Sequence, residues 1–338
     1  MRQQAFAQNG AVAVQAQERA RDILLKAWTG GKTSHAYLFR GPTGVGKRDM
    51  ALAFAALLNC QNRRSSESCG QCPSCKKLAS ANHPDFIEII PDGKLIKIDQ
   101  IRELKKVLSY PPLEAKTRII FIADIHEVMA RAEVANSLLK TLEEPPADTI
   151  FILTVDEAAE ILPTISSRCQ VVPFYALPVE IIKRQLMKRG VDAATAHTMA
   201  LISEGSLGRA EALAAEDLLG LRRQIVEELS RLDIKQPECV TIVFDLAASC
   251  AKLAHLADLL DLMELWIRDL MLLSATGPES VVLNRDLMYL YADSRKHWNM
   301  EELSDKLRLI AQAKKELLSN CNKTAVCEVL FFALLGPV

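Results

Sequence analysis

The sequence has no excess of charge of either sign. Among 338 residues, 41 lysines and arginines are balanced by 42 aspartates and glutamates, which gives a formal net charge of −1. Proteins that bind nucleic acid through a general positive field are much more basic than this. Any contact with DNA therefore has to come from a local patch or from an assembly of several chains.

Long hydrophobic runs are also missing. The most apolar later stretch, residues 256–273, is interrupted by five ionisable side chains, which are Asp258, Asp261, Glu264, Arg268 and Asp269. Such groups are costly inside a bilayer. The first twenty residues contain no basic-then-apolar signal segment. We therefore expect a cytoplasmic protein without a membrane-spanning helix.

No internal repeat or low-complexity linker divides the chain, so its organisation has to be taken from the hydrophobic pattern. Short apolar runs predict the strands of a parallel sheet covered on both faces, at residues 36–40, 86–90, 118–123, 149–154 and 170–174. Helical patterns lie between these runs, which predicts a doubly wound α/β domain over residues 1–177. Three short helices then predict a small helical domain over 178–216. Longer amphipathic helices predict an all-helical domain over 217–338.

A glycine-rich segment follows the first predicted strand and opens a helix. It consists of Gly41, Pro42, Thr43, Gly44, Val45, Gly46, Lys47 and Arg48. The pattern Gly-x-x-x-x-Gly-Lys cradles phosphates with backbone N–H groups, and Lys47 would reach the β- and γ-phosphates. The pattern usually continues with a serine or threonine that binds Mg²⁺, whereas Arg48 cannot coordinate a cation. We therefore predict a degenerate pocket that binds ATP or ADP weakly or not at all.

The second half of an ATPase site is expected after the strand at 118–123. Asp124 would bind Mg²⁺ through water, but Ile125 stands where an activating glutamate belongs. His126 or Glu127 would replace that glutamate if the loop were shifted, and the alternative interpretation is a solvated turn. Two defects in one site predict that the chain does not hydrolyse ATP by itself.

Four of the nine cysteines are clustered, at Cys60, Cys69, Cys72 and Cys75. Four thiolates at this spacing close a tetrahedral shell around Zn²⁺ and leave no open position, so the predicted zinc is structural. Unliganded thiols and an iron–sulfur cluster are the alternatives. The remaining cysteines are expected to be small buried hydrophobic residues in a reducing compartment, namely Cys169, Cys239, Cys250, Cys321 and Cys327.

Four segments resemble the bacterial DNA polymerase III clamp-loader subunits, which are AAA+ proteins. LNC…CGQCPSC…NHPDF (58–86) is similar to their zinc module, inserted here at 60–75 after the phosphate loop. ANSLLKTLEEPP (135–146) is similar to their most recognisable segment, and PTISSRC (163–169) contains their Ser-Arg-Cys triplet. EGSLGRA (204–210) resembles their lid motif. The resemblance covers about residues 15–215, and the remainder matches only in being helical.

The resemblance implies roles for individual residues. Arg168 would act in trans as an arginine finger on the γ-phosphate of ATP in a neighbouring subunit, and the alternative is a surface arginine in a salt bridge. Arg209 would hold the second sensor position over this chain's own pocket, or serve only in packing if that pocket is inactive. The first sensor is expected between Thr154 and Asp156. His83 is expected to be structural, because four cysteines already complete the metal shell.

Within residues 135–146, the leucines Leu138, Leu139 and Leu142 are expected in the core, on a helix that two prolines end. Three polar residues, Asn136, Lys140 and Glu143, recur about one turn apart on the same predicted helix. They are expected either to support the site or to face a partner.

Two subunit types share these motifs, the ATP-hydrolysing gamma/tau subunit and the delta-prime subunit. Arg48 and Ile125 favour the delta-prime type, and so does the expected absence of a tau-type extension. This type implies a hetero-oligomer within the DNA polymerase III holoenzyme, with gamma/tau and delta subunits as partners. It also implies indirect or transient contact with the sliding clamp and phosphate contacts to primer–template DNA. The helical C-terminal domain would join a collar.

Two other functions remain open on the sequence. An active gamma/tau-type ATPase would need a serine or threonine at position 48 and an acidic pair after the strand at 118–123. A zinc-dependent nucleic-acid-binding module would need a basic, aromatic-bearing knuckle. Arg63, Arg64, Lys76 and Lys77 supply some charge, but no aromatic residue interrupts the cysteines.

Overall fold

The structure, a computed structural model, describes residues 13–63, 67–91, 96–126, 132–157, 159–232, 236–275, 282–291, 298–319 and 321–335. The chain forms two compact units. One contains the residues up to Ile181 together with Glu204–Gly208, and the other contains Ile182–Ser203 and the residues from Arg209 onward. The finer division into three domains stays a prediction. No helix within the described ranges is both long and apolar enough to cross a membrane.

A five-stranded parallel sheet forms the centre of the first unit. Its strands are β1 (Ala36–Arg40), β2 (Phe86–Ile89), β3 (Arg118–Ile122), β4 (Thr149–Val155) and β5 (Gln170–Pro173), in the order β2-β3-β4-β1-β5. Every residue of β3 and β4 is buried. Strands covered on both faces have apolar residues at successive positions, which is why the sequence shows runs rather than alternation here.

Helices cover both faces of this sheet. They are α1 (Glu18–Thr29), α2 (Lys47–Asn59), α3 (Pro73–Ala79), α4 (Ile98–Leu108), α5 (Ala132–Glu143) and α6 (Pro163–Ser166). Leu104 of α4 and Leu138 of α5 belong to the core on one face. Leu24 of α1 and Phe54 of α2 belong to the core on the other face. The predicted α/β fold class is confirmed.

The described residues after β5 are helical and include no further strand. The helices are α7 (Val179–Lys188), α8 (Ala193–Ile202), α9 (Leu207–Ala215), α10 (Leu218–Arg231), α11 (Glu238–Ala251), α12 (Leu256–Ser274), α13 (Met300–Leu318) and α14 (Lys323–Leu335), with a short 3₁₀ turn at Arg285–Leu287. Leu259, Met263 and Trp266 of α12 are fully buried. Their helical spacing is the amphipathic pattern that the sequence predicts for this part of the chain.

The five cysteines outside the cluster differ in burial. Cys239, Cys250 and Cys327 are buried, as predicted, and Cys169 is half-buried. Cys321 is exposed, so the prediction was wrong for this residue. It follows α13 in a connection whose sequence is polar, at residues 319–323.

Candidate functional site

The glycine-rich segment forms the loop between β1 and α2 that the sequence predicts. Gly44 and Gly46 have φ angles of +76° and +96°, a conformation that side chains with a Cβ rarely adopt. A Cβ on Gly44 would lie 2.2 Å from Ser206 Oγ, and one on Gly46 would lie 2.6 Å from the Cβ of Ala13. Glycine is therefore required at both positions by backbone conformation and by close approach.

Lys47, the first residue of α2, is directed back into this loop. Its ammonium group donates hydrogen bonds to the carbonyl oxygens of Gly41, Pro42 and Val155, at 2.5, 3.0 and 3.1 Å. Burial lowers the pKa of Lys47, although the nearby carboxylates of Asp156 and Asp124 raise it in part. Because an ammonium group has three N–H donors, these carbonyls occupy all of them.

Arg48 makes a two-pronged ion pair. Its Nε and Nη2 atoms each lie 2.6 Å from an oxygen of Glu88 on β2, in the fork-to-fork geometry typical of strong arginine–carboxylate pairs. A positive charge with its own carboxylate thus occupies the position where the phosphate-loop pattern usually has a magnesium-binding hydroxyl. The residues present do not fit a Mg²⁺ ion at this position.

The loop after β3 contains the second predicted defect, which is Ile125 in the place of an activating glutamate. Ile125 is fully buried in the hydrophobic core. Asp124 adopts a φ of +48°, and its backbone N–H donates to the hydroxyl of Thr154 at the end of β4. Glu127, considered as a substitute for the missing glutamate, lies outside the described residues.

The side chains of Thr43 and Gln17 form hydrogen bonds around the phosphate loop that the sequence did not predict. The Thr43 hydroxyl donates to the carboxylate of Asp156 at 2.9 Å. The buried side chain of Gln17 donates to the carbonyl oxygens of Val45 (3.3 Å) and Tyr175 (2.7 Å) and accepts from the Tyr175 N–H. Gln17 thereby ties the phosphate loop to the segment after β5. A single glutamine at the start of a helix gives no sequence signal for this role.

The four clustered cysteines converge beside α2 and α3. Cys60 directly follows α2, Cys72 directly precedes α3 and Cys75 lies in its first turn. The four Sγ atoms all lie within 4.8 Å of one another. A tetrahedral Zn²⁺ with Zn–S bonds of about 2.3 Å requires sulfur–sulfur separations of about 3.8 Å. The cysteines therefore fit a single metal ion.

Backbone groups around the cluster favour thiolates. Cys69 Sγ accepts hydrogen bonds from the N–H groups of Gln71 and Cys72, and Cys60 Sγ accepts one from the N–H of Cys69. Burial opposes ionisation of Cys72, but backbone donors outweigh it and lower its pKa to about 6. Burial raises the pKa of Cys75 to about 12. A bound cation would favour the ionised form of this last thiol.

His83 is structural rather than a metal ligand in this arrangement. Its Nδ1 accepts the backbone N–H of Asp85, so Nε2 carries the proton and donates to the Ser74 hydroxyl at 3.2 Å. Burial lowers its pKa, which keeps the ring neutral. Ser74 lies on α3 between two of the cysteines. His83 thus joins the cysteine module to the start of β2.

Arg168, in the turn between α6 and β5, is half-exposed. Its guanidinium donates to the Glu143 carboxylate at 2.7 Å, to the Thr164 carbonyl at 2.8 Å and to the Ser167 hydroxyl at 3.3 Å. The salt bridge that the sequence leaves open as an alternative therefore exists. These contacts use three of the five N–H donors of the guanidinium.

Arg209, on α9, has two carboxylate partners on α12. Its Nε lies 2.9 Å from Asp258, and its Nη2 lies 2.5 Å from Asp261. Lys314 of α13 also binds Asp261, and it binds Glu264 one helical turn further along α12. These charges form one network within the second unit, which no local sequence pattern reveals.

Known proteins that are similar to this chain belong to the family that its motifs indicate. Residues 16–178 match the family described as DNA polymerase III, delta subunit. The chain is 30% identical to the Bacillus subtilis DNA polymerase III subunit delta' over 319 residues, which cover 94% of this chain and 96% of that protein. It is 36% identical to the tau subunit of the same organism, but over only 56% of this chain and 32% of that protein.

Among solved structures, a DNA polymerase III gamma subunit-related protein from Thermotoga maritima is 20% identical, with a TM-score of 0.48. The match covers 95% of this chain and 99% of that chain. The similarity to a delta-prime subunit extends over nearly the full length of both chains, and it confirms the resemblance to clamp-loader subunits. The chain belongs to the family of DNA polymerase III delta-prime subunits.

Proposed function

We propose that this chain is a delta-prime-type clamp-loader subunit that lends Arg168 to a neighbouring ATP site and hydrolyses little or no ATP itself. In this role it helps to load the sliding clamp onto primed DNA. The observation that carries the proposal is the Arg48–Glu88 ion pair, because it occupies the position where an active site would hold its magnesium ligand.

Three features of the pocket support low activity. The guanidinium of Arg48 repels a divalent cation, and all three N–H donors of Lys47 already bind carbonyl oxygens. Ile125, which stands in the place of an activating glutamate, is an apolar residue buried in the core. A phosphate entering this loop would have to displace the Lys47 contacts without help from a metal. Weak binding of ATP or ADP, or none, is therefore proposed.

Arg168 is the residue proposed to act on the neighbour's ATP. It lies in an exposed turn, and its guanidinium keeps N–H donors for a phosphate while its other donors are held within the chain. Stabilisation of charge on a γ-phosphate by such an arginine is worth about 10³- to 10⁵-fold in kcat. The chain itself is therefore a non-catalytic member of the holoenzyme.

Zinc is proposed to be held by Cys60, Cys69, Cys72 and Cys75. The sulfurs lie too close together for a multi-iron cluster, which would have to fit several metal atoms between them. Zn²⁺ would supply a cross-link between the end of α2 and the start of α3, with no open position for catalysis.

The proposed partners are gamma/tau and delta subunits, the sliding clamp in transient or indirect contact, and the phosphates of primer–template DNA. Residues 217–338 would form the collar domain, after a lid at 178–216. An exposed apolar strip on α11 and α14 supports a helical partner there, with Val240, Phe244 and Val329 at 47%, 45% and 68% exposure. A cytoplasmic location is part of the same proposal.

Steady-state ATP hydrolysis tests the proposal. The chain is assayed alone and in a complex reconstituted with gamma/tau and delta subunits, clamp and primed DNA. We expect no hydrolysis by the chain alone, and a loss on the order of 10³-fold in the complex when Arg168→Ala is introduced. Arg102→Ala is the matched control, because Arg102 is an exposed arginine with its own carboxylate partner, Asp99.

Two results would contradict the proposal. Hydrolysis by the chain alone that Lys47→Ala abolishes would identify an active gamma/tau-type ATPase instead. An Arg168→Ala complex that assembles fully and retains wild-type turnover would remove the arginine-finger role.

A further inference from the structure

The orientation of Arg168 is set by contacts within its own chain. Nη1 donates to the Thr164 carbonyl and the Ser167 hydroxyl, both within four residues of Arg168. Nη2 donates to Glu143, which lies 25 residues earlier and is the one charged partner among these three. The local contacts hold only Nη1, and the Glu143 contact holds Nη2 as well.

Glu143 is itself well placed to hold another residue. It is the last residue of α5, and the proline pair that follows prevents continuation of the helix. Leu138 and Leu142 of the same helix are each 1% exposed and anchor it in the core. The side chain of Glu143 is 48% exposed, but its backbone is fixed by this buried helix.

The contacts of Arg168 leave part of its guanidinium available. Three of the five N–H donors are used by Thr164, Ser167 and Glu143, and no acceptor among the described residues takes the other two. Those two donors are the N–H of Nε and one N–H of Nη2, and arginine N–H groups bind phosphate oxygens. Glu143 therefore holds the guanidinium and still leaves two N–H donors for a phosphate.

We propose that Glu143 is the positioning residue of the arginine finger. This inference rests on the proposed function, in which Arg168 acts on a neighbour's γ-phosphate. A long arginine side chain has many rotamers, and only a few of them present the guanidinium in one direction. The Glu143 carboxylate favours one such orientation before the neighbouring subunit binds. The Arg168 side chain therefore loses less conformational entropy when the interface forms.

The effect of losing Glu143 should be modest, because the pair is partly exposed to solvent. A partly exposed ion pair of this kind corresponds to a change of about 1.5- to fivefold in rate. In the reconstituted complex we expect Glu143→Ala to lower kcat for ATP hydrolysis by that factor and to leave KM for ATP unchanged. Glu143→Gln, which keeps an acceptor oxygen but loses the charge, should fall between Glu143→Ala and wild type.

Glu144 offers a matched control. It is the adjacent residue, carries the same charge and is exposed, but the ion pair with Arg168 is made by Glu143. Glu144→Gln should therefore retain wild-type turnover. Thermal unfolding of each variant checks that the fold is intact.

A double-mutant cycle separates positioning from a structural role. In an Arg168→Ala background, Glu143→Ala should cause no further loss, because there is no finger left to position. An equal loss in both backgrounds would overturn the inference and make Glu143 a structural residue. A higher rate for Glu143→Ala would also overturn it, because Glu143 would then compete with the phosphate for Arg168. If Arg168→Ala alone has no effect, the proposed function has failed, whatever Glu143 does.

Discussion

A buried ion pair between Asp85 and Arg118 offers a sharp test of how the first unit is held together. Their side chains are 1% and 2% exposed, and Arg118 Nε lies 3.6 Å from Asp85 Oδ1. The Asp85 carboxylate accepts the backbone N–H groups of Leu113, Glu114 and Ala115 at 2.7–2.8 Å. Arg118 donates to a carbonyl oxygen in the last turn of α4 and to two in the connection between α4 and β3. We consider the substitution Asp85→Asn.

The expected loss follows from these contacts. Asparagine has one acceptor oxygen instead of two, so at least one of the backbone N–H groups that bind the carboxylate loses its acceptor. Each buried group left without a partner costs about 1–3 kcal/mol. Arg118 stays buried without its counter-charge, and breaking a buried pair in this way typically costs about 3–5 kcal/mol in total. We therefore expect Asp85→Asn to lower the free energy of unfolding by about 3–5 kcal/mol.

Urea unfolding of the full chain at neutral pH, followed by circular dichroism, measures this loss. Asp99→Asn is the control, because Asp99 is 76% exposed and pairs with Arg102 on the same helix; its effect should stay within about 0.5 kcal/mol. A loss for Asp85→Asn as small as that of the control would refute the reasoning.

The dependence on pH provides a second check. Burial opposes ionisation of Asp85, but the three backbone donors and Arg118 outweigh it and lower its pKa. Because the folded-state pKa lies below the unfolded value of about 4, the stabilisation is complete above that pH. It is lost as pH falls through the lower folded value. The difference between wild type and Asp85→Asn should therefore be constant above about pH 5 and shrink in acid.

Two further predictions concern the metal and the second unit. The purified chain should contain one equivalent of zinc by elemental analysis, and Cys72→Ser should lower that content and the melting temperature; iron, or no bound metal, would contradict the proposed site. Arg209→Ala should lower the free energy of unfolding by about 1–2 kcal/mol, with a smaller loss at high salt, because it removes half-buried pairs with Asp258 and Asp261. Equal losses at low and high salt would argue against an electrostatic role.

Local patterns in the sequence predict most of the elements in the first unit. The strand predicted over residues 36–40 is observed at Ala36–Arg40, and the strand predicted over 118–123 is observed at Arg118–Ile122. Hydrophobic periodicity encodes these elements because each side chain is sorted by the face on which it lies. The cysteine spacing is local in the same sense, because a turn of the chain is sufficient to bring the thiols together.

The sequence by itself determined the fold class, the phosphate loop, the cysteine cluster and the turn that carries Arg168. Only the tertiary structure decided the partners of the charged residues, such as Glu88 for Arg48, Glu143 for Arg168 and Asp258 with Asp261 for Arg209. These pairs join elements 25 to 52 residues apart. The physical reason is that an ion pair depends on which helix faces and strand ends packing brings within about 4 Å of each other, and no short-range pattern carries that information.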